Sequence, residues 1–162
     1  EQEGTYPLPE AQLDRFMFSI WLDYPSMDEE IEVVKRTTVE KMPEANVVTT
    51  QEELVMFQNL VRRVPVNDSV LKYAVNLTAK TRPGTASVSP IADQYIAWGA
   101  GPRSSQYLIL GAKCHALLHG KYSPDIEDVQ AVSSNVLQHR IVKNYKAEAE
   151  GLDSREIIGK IL

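Results

Sequence analysis

The sequence predicts an all-α fold: a helical bundle preceded by one short, unpaired β-strand. Three observations carry this expectation. Beyond Tyr24-Pro25 the apolar residues recur at helical spacing, in segments that open on capping signals. Phe16 to Leu22 alternates instead with period two. The stretch from Pro102 to Leu118 is apolar on most of its circumference, which suits the central helix of a bundle.

Taken in order, Phe16, Phe18, Ile20 and Leu22 lie on one side of the expected strand, and Met17, Ser19 and Trp21 on the other. No second strand candidate of similar quality follows, so its backbone donors and acceptors need partners from elsewhere. Ser26 with Glu29 reads as a capping box ahead of Met27, Ile31, Val34 and Thr38, and Pro43 stops that helix. Thr50 with Glu53 repeats the box before Leu54, Phe57, Val61 and Val64, up to Pro65. Asn67 caps a third helix through Val70, Leu71, Ala74, Val75 and Thr78.

Arg82 to Pro90 is expected as a loop, and Ile91 to Trp98 as a short helix ended at Gly99. Within Pro102–Leu118, Gly111 costs about 1 kcal/mol of helix propensity, offset if a neighbouring element approaches closely there. Ser123-Pro124 reads as cap and first turn of another helix, whose positive end suits Asp125, Glu127 and Asp128. A final amphipathic piece begins at Asp153 and buries Ile157, Ile158 and Ile161.

The 22 acidic residues outnumber the 17 basic ones, and a net charge of -5 argues against a nucleic-acid surface and a helix-turn-helix DNA binder. The one cysteine, Cys114, excludes an internal disulfide and fits a reducing compartment, with the cytoplasm as default. No apolar run reaches the ~18 residues of a membrane span, and no signal-peptide pattern is present.

Gly99-Ala100-Gly101-Pro102-Arg103 is the motif with most chemistry in it. Glycines allow a tight turn, Pro102 suits the first helical position, and Arg103 falls in the first turn. A helix N-terminus with an added guanidinium can hold an anion. The plainer alternative is a glycine turn with Arg103 paired to a local carboxylate. Cys114, His115 and His119 sit at helical spacing, but Cys114 points about 100° from His115, and no metal site is expected. His139-Arg140 reads as the cap of a helix end or as a further basic contact.

A nucleotide-phosphate loop needs a glycine-rich backbone ending in Gly-Lys-Ser/Thr. The Gly-Lys pairs here, Gly120-Lys121 and Gly159-Lys160, are followed by Tyr122 and Ile161. Phe18 to Asp23 imitates an apolar strand ending in a magnesium-binding Asp, but Tyr24 stands where a catalytic Glu belongs. The chain by itself is expected not to hydrolyse ATP.

The opening stretch, Glu1-Gln2-Glu3-Gly4-Thr5-Tyr6-Pro7-Leu8-Pro9-Glu10-Ala11-Gln12-Leu13-Asp14-Arg15-Phe16, resembles the arginine-finger segment of MoxR-type AAA+ ATPases. Gly99 to Arg103 is similar to the Gly-x-x-Pro-Arg of that family's lid, and so is the run through Tyr122, Pro124, Asp128-Val129 and Val136 to Arg140. Gln138 departs from the pattern, which usually has a basic residue there.

The resemblance implies that residues 1–23 are the end of a nucleotide-binding core and residues 24–162 the helical lid, the chain starting after most of its active site. It implies Arg15 as arginine finger acting in trans, and Gly101, Pro102 and Arg103 as a lid sensor near the nucleotide phosphates. It further implies ATP and Mg2+ in the longer protein, a hexameric ring, chaperone-like remodelling of client proteins and a von Willebrand factor A-domain partner. The rival expectation is a stand-alone helical protein-interaction module without nucleotide chemistry.

Overall fold

Helix α1 (Glu10–Leu13) opens the structure, a computed structural model that describes residues 6, 8–40 and 44–162. The first five residues and Pro7 of the opening motif, and the helix stop expected at Pro43, lie outside the described residues. The chain divides into two units, one built from the described residues up to Ser19 with Asn59–Leu162, the other from Ile20–Gln58.

The larger unit is built on α4 (Asp68–Lys80), α6 (Pro102–Leu118) and α7 (Ile126–Leu137), with α6 packed against both others. Helices α5 (Pro90–Tyr95), α8 (Tyr145–Ala149) and α9 (Ser154–Ile161) close the remaining side. Several helices start where side chains can satisfy free amides, whereas α6 starts at Gly101-Pro102 without a side-chain cap. Asn67 accepts from the Ser69 amide at the head of α4, and Asp153 with Glu156 forms a capping box at α9. The stripes then converge on one core in which Leu77, Leu108, Val129, Val136, Leu137, Ile157 and Ile158 are almost fully hidden. Each such side chain contributes roughly 1.5–3 kcal/mol by leaving water.

At Gly111 an added Cβ would lie 3.2 Å from both Phe18 and Val132, so the close approach expected there is present. Helix α6 ends in a Schellman motif. Gly120 takes φ of 72°, and the Lys121 and Gly120 amides bond the Ala116 and Leu117 carbonyls at 2.9 and 3.0 Å.

Three local expectations are corrected. The helix expected over Ile91–Trp98 stops at Tyr95, and Ile96–Trp98 becomes strand β1, paired antiparallel to β2 (Val142–Lys143). Ile96 is buried while Ala97 and Trp98 are exposed, a pattern that a six-residue window does not separate from a helical one. The helix expected at Ser123-Pro124 begins later, with Asp125 as its cap, because Asp128 accepts the Asp125 amide at 2.8 Å. Phe16–Leu22 forms no strand, since no described strand lies beside it to complete a ladder. Its first residues, Phe16 and Met17, bend after the turn that ends α1, and the Ser19 amide bonds the Asn135 carbonyl at 2.9 Å.

The smaller unit holds α2 (Met27–Thr37) and most of α3 (Gln51–Arg63), which crosses into the larger unit at its end. Both expected capping boxes form: Ser26 with Glu29, and Thr50 with Glu53 at 2.8 and 3.2 Å. Yet no described residue from Ile20 to Gln58 is buried.

Candidate functional site

The turn before α6 is fixed from the end of α4. The buried Thr81 hydroxyl donates to the Thr78 carbonyl at 2.7 Å and accepts the Ala100 amide at 3.0 Å. Arg82 Nε donates to the Ala100 carbonyl at 2.9 Å. This brings Gly99 so close that a Cβ there would sit 2.4 Å from the Thr81 carbonyl oxygen. Gly101, the N-cap of α6, has extended backbone and open space where its Cβ would be. The glycine that the turn requires is therefore Gly99, for close approach of backbones, and neither glycine is needed for a left-handed conformation.

Pro102 takes the first helical position, and Arg103 projects from the first turn with its side chain 43% exposed. Its guanidinium donates to Asp14 Oδ2 at 2.5 Å. Arg103 does pair with a carboxylate, but one 89 residues away in sequence, where the plainer alternative expected a local one. Asp14 Oδ1 accepts from Arg140 Nε at 3.1 Å. Two arginines share one carboxylate, leaving a net positive charge before Arg15 is counted.

Arg140 was read from the sequence as a helix cap or a further basic contact, and its tie to the Asp14 segment is what sequence reasoning missed. Its side chain is 1% exposed, and it does more than cap α7 through the Val136 carbonyl. It donates to the carbonyls of Asp14 at 2.9 Å, Met17 at 3.3 Å and Phe16, and its guanidinium lies 5.0 Å from the Tyr107 ring centre. Burial pulls its pKa below the ordinary arginine value, against the opposing pull of Asp14. It nonetheless stays a cation at neutral pH.

Its neighbours join in. Tyr107 donates its hydroxyl to the Arg15 carbonyl at 3.1 Å, His139 Nε2 lies 3.0 Å from the Phe16 carbonyl, and Gln138 donates to the Ser19 carbonyl. Burial holds the His139 pKa below its ordinary 6.5. A neutral ring with Nε2–H donating leaves Nδ1 bare, and Nδ1 is indeed buried without a partner among the described residues. The carbonyls that a sheet would have paired are taken by side chains of α6 and of the segment ending α7. No local pattern announces this, because Arg140 and Asp14 are 126 residues apart in sequence.

Arg15 stands in the middle of this held segment. It is exposed, and its guanidinium makes no ion pair with any described residue, so neither Asp14 nor Glu10 claims it. A cavity of about 230 Å³ is lined by Glu10, Asp14, Trp98, Gly101, His139 and Arg140, among others, with neither Arg15 nor Arg103 in its wall.

A second cluster lies between α6 and α7. Asp128 is 1% exposed and pairs with His115 Nδ1 at 2.7 Å and Lys121 Nζ at 3.0 Å. Burial alone would raise its pKa, but the Asp125 amide, His115 and Lys121 together hold it below 3.8. Asp128, expected as a helix-start acid, is thus also the buried tie between two helices. His119 stacks on His115 with ring centres 4.1 Å apart, and Cys114 is a half-buried free thiol. Among the described residues no three His, Cys, Asp or Glu side chains converge on a metal position.

Residues 88–161 match the AAA lid domain. The chain is 35% identical over 163 residues to the chaperone MoxR1 of Mycobacterium tuberculosis and 34% identical over 166 residues to the protein YeaC of Bacillus subtilis. Both alignments take in the whole of this chain but only 43% and 48% of those proteins, so it spans about half the length of these relatives. A crystal structure of a presumed ATPase from Cytophaga hutchinsonii superimposes with a TM-score of 0.88 at 36% identity, over 99% of this chain and 49% of that one. No helix among the described residues is long and apolar enough to cross a membrane.

Proposed function

From its membership of the MoxR-type AAA+ proteins, we propose that this chain serves as the lid portion of an ATP-hydrolysing assembly, in which Arg15 reaches the nucleotide of a neighbouring subunit. The observation that carries the proposal is the contrast between Arg15 and its surroundings: the backbone on either side is bonded to the lid, while the guanidinium is exposed and unclaimed by any described carboxylate. A guanidinium in that setting can neutralise charge developing on a transferred γ-phosphoryl group, an effect worth about 10³–10⁵ in rate. Arg103, at the first turn of α6 with Gly101 and Pro102, is proposed as the sensor of the phosphates.

ATP and Mg2+ would be held by parts of the protein that carry the phosphate loop, in a ring of subunits, hexameric by analogy with the family. The lid would convert nucleotide state into movement that remodels client proteins, with a von Willebrand factor A-domain partner as one candidate. The naming of one relative as a chaperone supports the chaperone-like part of this reading. A cytoplasmic setting goes with it.

The test is hydrolysis by the full-length protein. Arg15→Ala should lower kcat by about 10³-fold or more, and Arg103→Ala should also depress hydrolysis, both with unchanged thermal unfolding. Wild-type turnover in a folded Arg15→Ala protein would overturn the assignment. The exposed apolar faces of α2 and α3 favour a second reading, a protein-interaction module that never meets nucleotide. Under that reading both arginine variants hydrolyse ATP as the parent does.

A further inference from the structure

Four consecutive main-chain carbonyls, those of Asp14, Arg15, Phe16 and Met17, end on three side chains of the lid. Arg140 takes the first at 2.9 Å, the last at 3.3 Å, and that of Phe16. Tyr107 takes that of Arg15 at 3.1 Å, and His139 shares that of Phe16 at 3.0 Å. A buried guanidinium is costly unless its donors are matched; here Nε, Nη1 and Nη2 are all used. A planar fork with fixed donor directions dictates where each acceptor sits, which a lysine ammonium cannot do.

The segment has a further anchor beyond the clamp. Phe18 packs where Gly111 leaves room, and the Ser19 amide bonds the Asn135 carbonyl at 2.9 Å. Losing Arg140 would therefore loosen residues 14–17, held then only by Tyr107, His139 and Arg103, while leaving 18–19 attached. The structure assigns to Arg140 the role of positioning residue for Arg15: it fixes the Arg15 main chain to the lid, so that the finger moves with the lid and not independently of it. This rests on the reading of Arg15 as a finger. Asp14 makes the arrangement responsive, because its second oxygen is held by Arg103. Engagement of Arg103 by phosphate would withdraw one of the two cations that hold Asp14 beside the finger.

Trypsin cleaves after Arg15 only when residues around that bond can open, so local proteolysis reads the clamp directly. In the 162-residue chain, with cleavage after Arg36 as internal standard, Arg140→Gln should accelerate cutting of the Arg15–Phe16 bond by about tenfold or more. Arg140→Lys should recover only part of the protection. An unchanged rate at Arg15 in a folded Arg140→Gln chain would overturn the clamp. Should Arg140→Gln fail to fold, Tyr107→Phe removes a single bond, and its expected acceleration is about threefold; no acceleration overturns the clamp equally.

In the full-length protein, Arg140→Gln should lower kcat by about tenfold or more while KM for ATP stays within about twofold, the mark of a misplaced finger. If Arg15→Ala abolishes hydrolysis but Arg140→Gln does not lower kcat, the finger reading stands and the positioning role is wrong. If Arg15→Ala leaves hydrolysis intact, the finger reading has failed, and the positioning role falls with it whatever the proteolysis shows about the clamp.

Discussion

Helices α6 and α7 and helices α2 and α3 are written in the same local code and meet opposite fates. Helices α2, α3 and α7 carry acidic first turns, α6 opens instead on Gly101-Pro102, and all four were legible as helices from local signals. In α6 and α7 the apolar positions include Leu108, Val129, Val136 and Leu137, hidden completely. In α2 and α3 the equivalent positions stay open to solvent, with Met27 80% exposed and Leu54 50% exposed. An apolar stripe specifies that a helix forms and which face seeks cover. It does not specify what covers it.

Core truncation gives the largest expected effect on this contrast. Leu108→Ala or Leu137→Ala should destabilise the chain by about 3–5 kcal/mol in urea unfolding, because each leaves a cavity in a closed core. Ile31→Ala and Leu54→Ala should cost less than about 1 kcal/mol. If Leu54→Ala matches Leu108→Ala, the two regions are not different in kind.

The glycine pair sharpens the same lesson within one turn. Gly99→Ala must push the Thr81–Arg82 backbone aside and should cost about 2–3 kcal/mol. Gly101→Ala meets open space and should cost under about 1 kcal/mol, mostly from a poorer N-cap. A next, comparable effect is expected at the tie between α6 and α7. Asp128→Asn should cost about 1–3 kcal/mol by leaving His115 and Lys121 without a buried charge partner.

The smallest effect is pH dependence from His139. Its pKa in the fold lies below the ordinary 6.5. The unfolded chain therefore takes up the proton first, and the stability contributed by the neutral ring is complete above 6.5 and lost as pH falls below it. Proteolysis at Arg15 should quicken across that window, and in Tyr107→Phe the quickening should be larger, since less of the clamp remains. A pH-independent rate would remove His139 from the clamp.

The bundle was readable because capping boxes and helical periodicity are local. Ser26 with Glu29, Thr50 with Glu53, Asn67 and Asp153 all start helices where the sequence places them. What was not readable is long-range. The strand pair β1–β2 joins residues from separate parts of the chain, and two or three residues carry too little periodicity to signal it. The Phe16–Leu22 stretch has a strand's alternation, but a strand is a property of its neighbour as well as of itself. At the site, Arg103 and Arg15 were found by their motifs, whereas Arg140 looked like the end of a helix. Its role is decided by Asp14, which no spacing rule connects to it.

The account rests on Arg15 serving a site it does not belong to, and mixing subunits tests that most directly. Full-length subunits carrying Arg15→Ala would be combined with subunits whose own nucleotide site is disabled but whose Arg15 is intact. Neither should hydrolyse ATP alone, and the mixture should recover a measurable share of wild-type turnover, since half of the mixed junctions bring an intact finger to an intact site. A co-assembled mixture as inactive as its parents would contradict the account.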